Sequence, residues 1–324
     1  MINGLKFSVS AAALALLVAG GASSAKAADI ADQGCTISGA VGVGYMYDWQ
    51  KVSFDAFGSS ADGDVDWNTP FGEAGGLVTC GGLNIQADFA YYDHSTDIGS
   101  SGSPFGSGDK DAANSHFGGT LFWRDPSYAA LGVSASWVNQ DLIGKDNDSF
   151  RGGVFGEFYL DTITFGASAH YFNGDKLDGF NMQQDGFELA AYARYYATPD
   201  FSLMLRGDGL LSKVDFSGAS QDADLNGWAI TGEAEYLAWD KGLSVFGGLR
   251  YAERTLDIGN AGPFGDIDID DTQVYAGLKF YFGQDGSLMD RQRTGLIDNT
   301  STFREKLPNA LTSITAGMLD ASGY

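Results

Sequence analysis

The chain has 324 residues, of which 42 are acidic and 19 basic, so its net charge is −23. That charge argues against binding to nucleic-acid phosphates, which requires a basic surface. Because 44% of the residues are hydrophobic, general disorder is excluded, and the 46 glycines do not follow the Gly-X-Y period of collagen.

The N-terminus predicts an exported protein. Lys6 precedes an apolar run at residues 11–19, and small residues follow at 25–27, which is the pattern of a signal peptide over residues 1–27. The alternative is a membrane anchor, but the apolar run is too short to cross a bilayer. Export places the chain in an oxidising compartment, so we expect its two cysteines, Cys35 and Cys80, to form a disulfide.

Beyond the signal peptide, apolar and polar residues alternate with a period of two in segments of about ten residues, which is typical of a transmembrane β-barrel. The segment 36–50 shows large apolar side chains at Ile37 and Tyr45, and small or polar ones at Ser38 and Asp48. Twelve such segments follow one another: 36–50, 75–80, 83–94, 116–124, 128–139, 150–160, 162–173, 186–197, 201–216, 225–239, 243–256 and 272–282.

The connections between these segments alternate in length, as they do in outer-membrane barrels. The short turns are 80–82, 125–127, 160–162, 198–200 and 240–242, and the long loops are 51–73, 95–115, 140–149, 174–185, 217–224 and 257–271. This pattern predicts an all-β fold, a transmembrane antiparallel up-and-down barrel of about twelve strands over residues 28–282. Both chain termini are then expected on the periplasmic side, where the short turns lie.

A soluble β-sandwich or lipocalin-like barrel is the alternative fold, since apolar and polar residues also alternate along its strands. Such a protein buries its large apolar side chains inside, whereas here aromatic residues share the apolar face near the segment ends. Tyr45, Trp49, Trp123 and Trp137 are examples. Aromatic girdles of this kind lie at the two membrane interfaces, so the membrane barrel is favoured.

The last segment carries a family resemblance. The run from Tyr275 to Phe282 (YAGLKFYF) is similar to the assembly signal of Gram-negative outer-membrane proteins, and residues 28–282 resemble a porin-like protein of the alphaproteobacterial kind. The resemblance implies location in the outer membrane, with lipid, lipopolysaccharide and the barrel assembly machinery as partners. It leaves the oligomeric state open.

Residues 283–324 follow this signal and depart from the family pattern. Their composition does not indicate a membrane strand, and Pro308 interrupts any helix there. A periplasmic arm, a plug in the barrel and a disordered end are the three interpretations. A solvated tail is the one we favour from the sequence.

The inward face predicts a charged lumen. Six acids and six bases fall on it: Asp88, Glu157, Glu188, Asp208, Glu233, Glu235, Arg124, Arg151, Arg194, Arg206, Arg250 and Lys279. Such charges either line a pore and select solutes by their field, or pair with one another and fill a closed lumen.

One acidic segment is a candidate calcium loop. Asp62, Asp64, Asp66, Asn68 and Glu73 have the spacing of oxygen ligands in a Ca²⁺-binding loop. The residue at 67 is Trp, where such a loop requires Gly. Calcium is therefore a possible cofactor, and solvated acidic side chains on an exposed loop are the alternative.

Together these features predict an outer-membrane channel for passive diffusion of ions or small hydrophilic solutes. The alternative is a structural or adhesive barrel whose lumen is closed by salt bridges. An outer-membrane enzyme is the third class, but His94, His116 and His170 form no catalytic motif, so we expect no enzyme activity.

Overall fold

A computed structural model describes residues 34–56, 59–98, 108–141, 146–175, 182–216, 223–257, 264–310 and 312–314. The predicted signal peptide, residues 1–27, lies outside these ranges. Among the described residues, no helix has the length and apolar composition needed to cross a bilayer.

Twelve strands form a closed antiparallel barrel, which confirms the predicted fold. Each strand pairs with the next along the chain, and β1 pairs with β12 to close the sheet. The strands are β1 (Cys35–Ala56), β2 (Ser59–Cys80), β3 (Leu83–Ile98), β4 (Gly108–Asp125), β5 (Ala129–Asp141), β6 (Asp146–Leu160), β7 (Ile163–Gly174), β8 (Met182–Thr198), β9 (Phe201–Phe216), β10 (Ala223–Trp239), β11 (Leu243–Asp257) and β12 (Phe264–Phe282).

The predicted short turns lie at one end of the barrel, which we call the short-turn end, and the opposite end is the loop end. Gly81 and Gly242 have φ angles of 62° and 110°, which explains the glycines in two of these turns. In a third turn, hydrogen bonds from the hydroxyl and amide of Ser127 hold the pKa of Asp125 below its usual range. The disulfide between Cys35 and Cys80 joins β1 to β2 at this end, as predicted.

The strands extend further towards the loop end than the sequence pattern indicated. The predicted loop 51–73 is wrong, because β1 and β2 continue as a paired hairpin in which Lys51 lies opposite Asp64. The start of β12 replaces much of the predicted loop 257–271 in the same way.

The reason for this error is an inversion of polarity along the strands. In the part nearer the short-turn end, apolar side chains face outward, such as Leu205 (60% exposed) and Leu249 (61% exposed). Towards the loop end Asp266 and Asp268 face outward, while Ile267 and Ile269 are buried inside. The wall therefore has an apolar outer belt and, beyond it, an acidic extension formed by residues 51–56, 59–66 and 264–271.

The candidate calcium ligands do not lie on a loop in the structure. The candidate ligands lie along the extended strand β2, on which Asp62, Asp64 and Asp66 face outward and Glu73 faces the interior. Eleven residues of β-strand span roughly 36 Å, so the first and last of these carboxylates cannot bind the same ion. In the part of the chain that the structure describes, no group of three or more His, Cys, Asp or Glu residues is arranged to hold a metal.

The residues after β12 return into the barrel, and we call residues 283–310 and 312–314 the inner segment. It contains a short helix, α1 (Leu288–Thr294), and a single π-helical turn (Thr302–Lys306). Leu288, near the short-turn end, and Leu307, towards the loop end, are both fully buried. The solvated tail favoured from the sequence is thus wrong for these residues, because their side chains find partners along the lumen.

The last described residue of the inner segment lies towards the loop end. Ile314 packs among wall residues of the loop end, including Val214 and Leu256. The chain has therefore crossed the barrel by this point. The predicted periplasmic C-terminus belongs to residues 315–324, which lie outside the described residues.

Candidate functional site

The lumen is the candidate functional site. The structure places all twelve charged residues from the sequence prediction on the inner face of the wall, six acids and six bases: Asp88, Glu157, Glu188, Asp208, Glu233, Glu235, Arg124, Arg151, Arg194, Arg206, Arg250 and Lys279. Their role in lining an open pore stays a prediction.

Three of the six bases form ion pairs within this set. Arg151 Nε lies 2.6 Å from Glu188 Oε2, and Arg206 Nη2 lies 2.8 Å from Asp208 Oδ1. The third pair is looser, since Arg124 lies 3.9 Å from Glu157. The predicted ion pairs therefore form at three of the six basic residues.

Tyrosine hydroxyls bind several of the acids instead. Tyr275 donates to Glu233 at 2.9 Å, and Tyr281 donates to Glu235 at 2.8 Å. Glu157 accepts a hydrogen bond of 2.6 Å from Tyr159 and a further one from the Tyr192 hydroxyl. The sequence prediction missed these tyrosines. Their position on the inward face was visible in the alternation, but the partner of each was not.

The other three bases, Arg194, Arg250 and Lys279, have no carboxylate within 4.0 Å among the described residues. All three line a cavity of about 210 Å³ between the wall and the inner segment. The cavity reaches from Arg291 of α1, near the short-turn end, to Lys306 of the π-helical turn.

Helix α1 lies across the short-turn mouth of the barrel. The Met289 amide donates to the Pro199 carbonyl at 2.9 Å, and Arg291 donates to the Asp240 carbonyl at 2.6 Å. Arg293 donates to backbone carbonyls in the turn between β6 and β7. One short helix thus binds three different short turns, which holds it at the mouth.

In the middle of the lumen the inner segment is extended and hydrogen-bonded to the wall. Gln86 bonds both the amide and the carbonyl of Ile297, each at 2.8 Å. Arg151 donates to the carbonyl of Asn299 at 2.5 Å. Backbone groups that would otherwise be buried without partners are satisfied here by side chains of the wall.

A buried histidine connects the π-helical turn to the wall. The two ring nitrogens of His116 lie 2.8 Å from Glu305 Oε1 and 2.6 Å from Asp88 Oδ2. The second oxygen of Glu305 accepts a 2.7 Å bond from the Ser301 amide, and its backbone carbonyl accepts one from Asn114 at 3.1 Å. Glu305 is fully buried, so the segment is held by a carboxyl group that water does not reach.

Towards the loop end an apolar collar closes around the inner segment. Phe303, Leu307, Ala310 and Ile314 of the segment pack against it. The collar consists of Val52, Phe172, Leu210, Val214, Ala223, Leu225, Ala229, Ala252, Leu256, Ile267 and Ile269. The lumen therefore has a polar part with a cavity and an apolar part filled by the segment.

No protein-family model and no curated protein matches the sequence. Among solved structures, the barrel is similar to an outer-membrane channel from Pseudomonas putida F1, with a TM-score of 0.56 and 12% identity over 76% of this chain and 96% of that chain. The toluene transporter TodX from P. putida gives a TM-score of 0.41 and 10% identity over 77% of this chain and 90% of that one. The first likeness shows that the chain has the fold of an outer-membrane channel.

Proposed function

We propose that the protein is an outer-membrane channel whose lumen is closed by its own inner segment and opens when that segment is displaced. The observation that carries the proposal is the course of the segment, which follows the lumen from α1 at the short-turn mouth to Ile314 in the collar. It is bound there by noncovalent contacts, which can be broken and remade.

The cavity favours a channel over a purely structural barrel. A lumen that served only as an anchor would gain most from complete packing, because buried charges without partners are costly. Here a cavity of about 210 Å³ remains, and three bases beside it have no carboxylate within ion-pair distance in the described residues. Twelve strands enclose a lumen between the filled eight-stranded barrels and the wide sixteen-stranded porins.

The apolar collar supports a second candidate, the structural barrel with a closed lumen. The acidic extension lies beyond the outer belt, and its inward residues Val52, Ile267 and Ile269 belong to the collar. Phe303 and Leu307 of the inner segment complete the same apolar cluster. A segment required for folding of the extension would remain in place permanently.

The outer belt supports a membrane location, because its apolar side chains suit contact with lipid acyl chains. We place the barrel in the outer membrane of a Gram-negative cell, with the short turns in the periplasm and the acidic extension outside beside lipopolysaccharide. The last strand would present the assembly signal to the barrel assembly machinery. Small solutes or ions are the proposed cargo.

Planar-bilayer recordings test the proposal. The full chain should be silent or nearly so, and the chain lacking residues 283–324 should give stable conductance steps. If both proteins are shown to be folded and both stay silent, the structural barrel is the better account. If the full chain conducts as well as the shortened one, the segment does not close the lumen.

A further inference from the structure

Two cationic side chains of the cavity lie over aromatic rings. Lys279 Nζ is 5.2 Å from the ring centre of Phe246, and the Arg250 guanidinium is 5.5 Å from that of Tyr275. The described hydrogen bonds of Arg250 go to two neutral partners, Thr231 at 3.1 Å and Gln273 at 2.5 Å. Both positive charges are thus held by neutral groups of the wall.

Arg194 lies in the same cavity on strand β8. Its guanidinium lies 5.8 Å from the ring centre of Tyr192, and it donates to the thioether of Met204 at 3.3 Å. A thioether is a weak acceptor, so most of the hydrogen-bonding capacity of this guanidinium remains for another group.

The acids of the cavity are engaged by the wall. Glu233 and Glu235 act electrostatically on Arg194 and Lys279, but their oxygens accept hydrogen bonds from Tyr275 and Tyr281. Glu235 also accepts from Ser244 at 2.6 Å and from Gln292 at 2.8 Å. Glu73, which also lines the cavity and acts on Lys279, accepts a hydrogen bond from the Tyr92 hydroxyl. Each of these three acids is thus bound by a tyrosine of the wall, whereas Arg194 and Lys279 have no carboxylate within 4.0 Å among the described residues.

Between these charges the wall presents an aromatic surface. Phe71 stacks on Tyr92 with ring centres 5.5 Å apart, and Phe246 follows at 6.2 Å from Phe71. Phe71, Tyr92 and Phe246 all line the cavity. A flat apolar group can lie on such a surface.

From this arrangement we propose that the cavity is a binding site for a small organic anion with a flat apolar body, such as an aromatic carboxylate. The carboxylate would accept a hydrogen bond from Lys279, and the ring would lie along Phe71 and Phe246. Charge-assisted hydrogen bonds of this kind are among the stronger ones in proteins. Arg250, which lies at the neighbouring ring of Tyr275, would add positive charge to the site. The inference names a solute class for the proposed channel and so rests on that function, but binding can be measured without transport.

Equilibrium dialysis of radiolabelled benzoate against the full chain in detergent tests the site, with detergent alone as the blank. Benzoate should bind, and benzyl alcohol, which has the same ring and no charge, should bind at least about tenfold more weakly. Lys279→Gln should weaken benzoate binding by about tenfold, and Arg250→Gln should weaken it by less, because Arg250 acts through its charge alone. Lys213→Gln is the matched control, because it removes one positive charge from the exposed outer face of β9 and should leave binding unchanged.

Two results would overturn the inference. One is equal binding of benzoate and benzyl alcohol, which would show that the cations do not select the ligand. The other is absence of benzoate binding to the folded full chain, with folding checked by the heat-dependent shift on electrophoresis. The conductance of the shortened chain is measured separately, so failure to bind benzoate leaves the channel proposal standing. If benzoate binds but the shortened chain does not conduct, the channel proposal fails and the binding site stands.

Discussion

Among the single substitutions to alanine that we consider, Glu305→Ala should most favour displacement of the inner segment from the lumen. The change removes the buried carboxylate that lies 2.8 Å from His116 Nδ1 and accepts a 2.7 Å bond from the Ser301 amide. Removal of one partner from a buried charged pair costs about 3–5 kcal/mol. We take the lower end, because His116 keeps Asp88 at 2.6 Å as a second partner. In the displaced state of the variant water solvates His116, so the cost falls on the closed state.

A loss of about 3 kcal/mol shifts an equilibrium by more than about 100-fold. We therefore expect the fraction of time that a single channel spends open to rise by about two orders of magnitude in Glu305→Ala. Single-channel recording in planar bilayers measures this fraction directly. Asp285→Ala is the control, because it removes an exposed acid from the same segment and should leave the open fraction unchanged.

An open fraction in Glu305→Ala equal to that of the control would refute this reasoning. It would mean that contact between Glu305 and His116 does not hold the segment in the lumen. An equal rise in both variants would point to net charge of the segment, rather than the buried contact, as the cause.

Three further predictions address the collar, the membrane belt and the disulfide. Leu307→Asp places a charge in the apolar collar and should open the channel, and unchanged silence in bilayers would show that the collar does not hold the segment. Leu205→Arg on the outer belt should lower the stability of the membrane-inserted barrel by about 2–4 kcal/mol, measured by reversible unfolding in vesicles. Asp64→Arg on the outward face of the acidic extension is its control, and equal effects of the two would contradict our placement of the belt. Replacing Cys35 and Cys80 by serine opens a link between positions 45 residues apart and should lower the unfolding free energy by up to about 4 kcal/mol. An unchanged denaturation midpoint would show that strand pairing alone fixes this end.

The number of strands and the short turns could be predicted from the sequence because both depend on local patterns. Alternation puts Leu205 and Leu249 on one face, and glycines such as Gly81 mark tight turns. The outward apolar face is a property of each strand by itself. Neighbouring strands need not be known to recognise it.

The strand ends could not be predicted from the same pattern, since its polarity inverts along the chain. In the acidic extension the period of two continues, but Val65 and Ile267 are now inside and Asp64 and Asp268 outside. A search for apolar residues on the outer face therefore ends too early. The aspartates whose spacing suggested a calcium loop, Asp62, Asp64 and Asp66, lie on the outward face of this extension.

The charged lumen residues could be assigned to the inner face because they occupy alternate positions along each strand. Their hydrogen-bond and ion-pair partners could not be predicted in this way. Tyr275 on β12 reaches Glu233 on β10, two strands away, and His116 meets Glu305, which lies 189 positions later. Such contacts depend on closure of the barrel and on the course of the inner segment. Composition of residues 283–324 carried no signal that distinguishes a plug from a solvated tail.

Cleavage of the inner segment in an inserted channel tests the central claim most directly. A site for a specific protease introduced between Asp285 and Gly286, which are exposed, allows the barrel to fold with its segment in place. The protease is then added on the side of the short turns during a single-channel recording. We predict silence before cleavage and lasting conductance steps once the cut segment dissociates, at the level of the chain lacking residues 283–324. Continued silence, with release of the segment verified by mass spectrometry, would contradict the account.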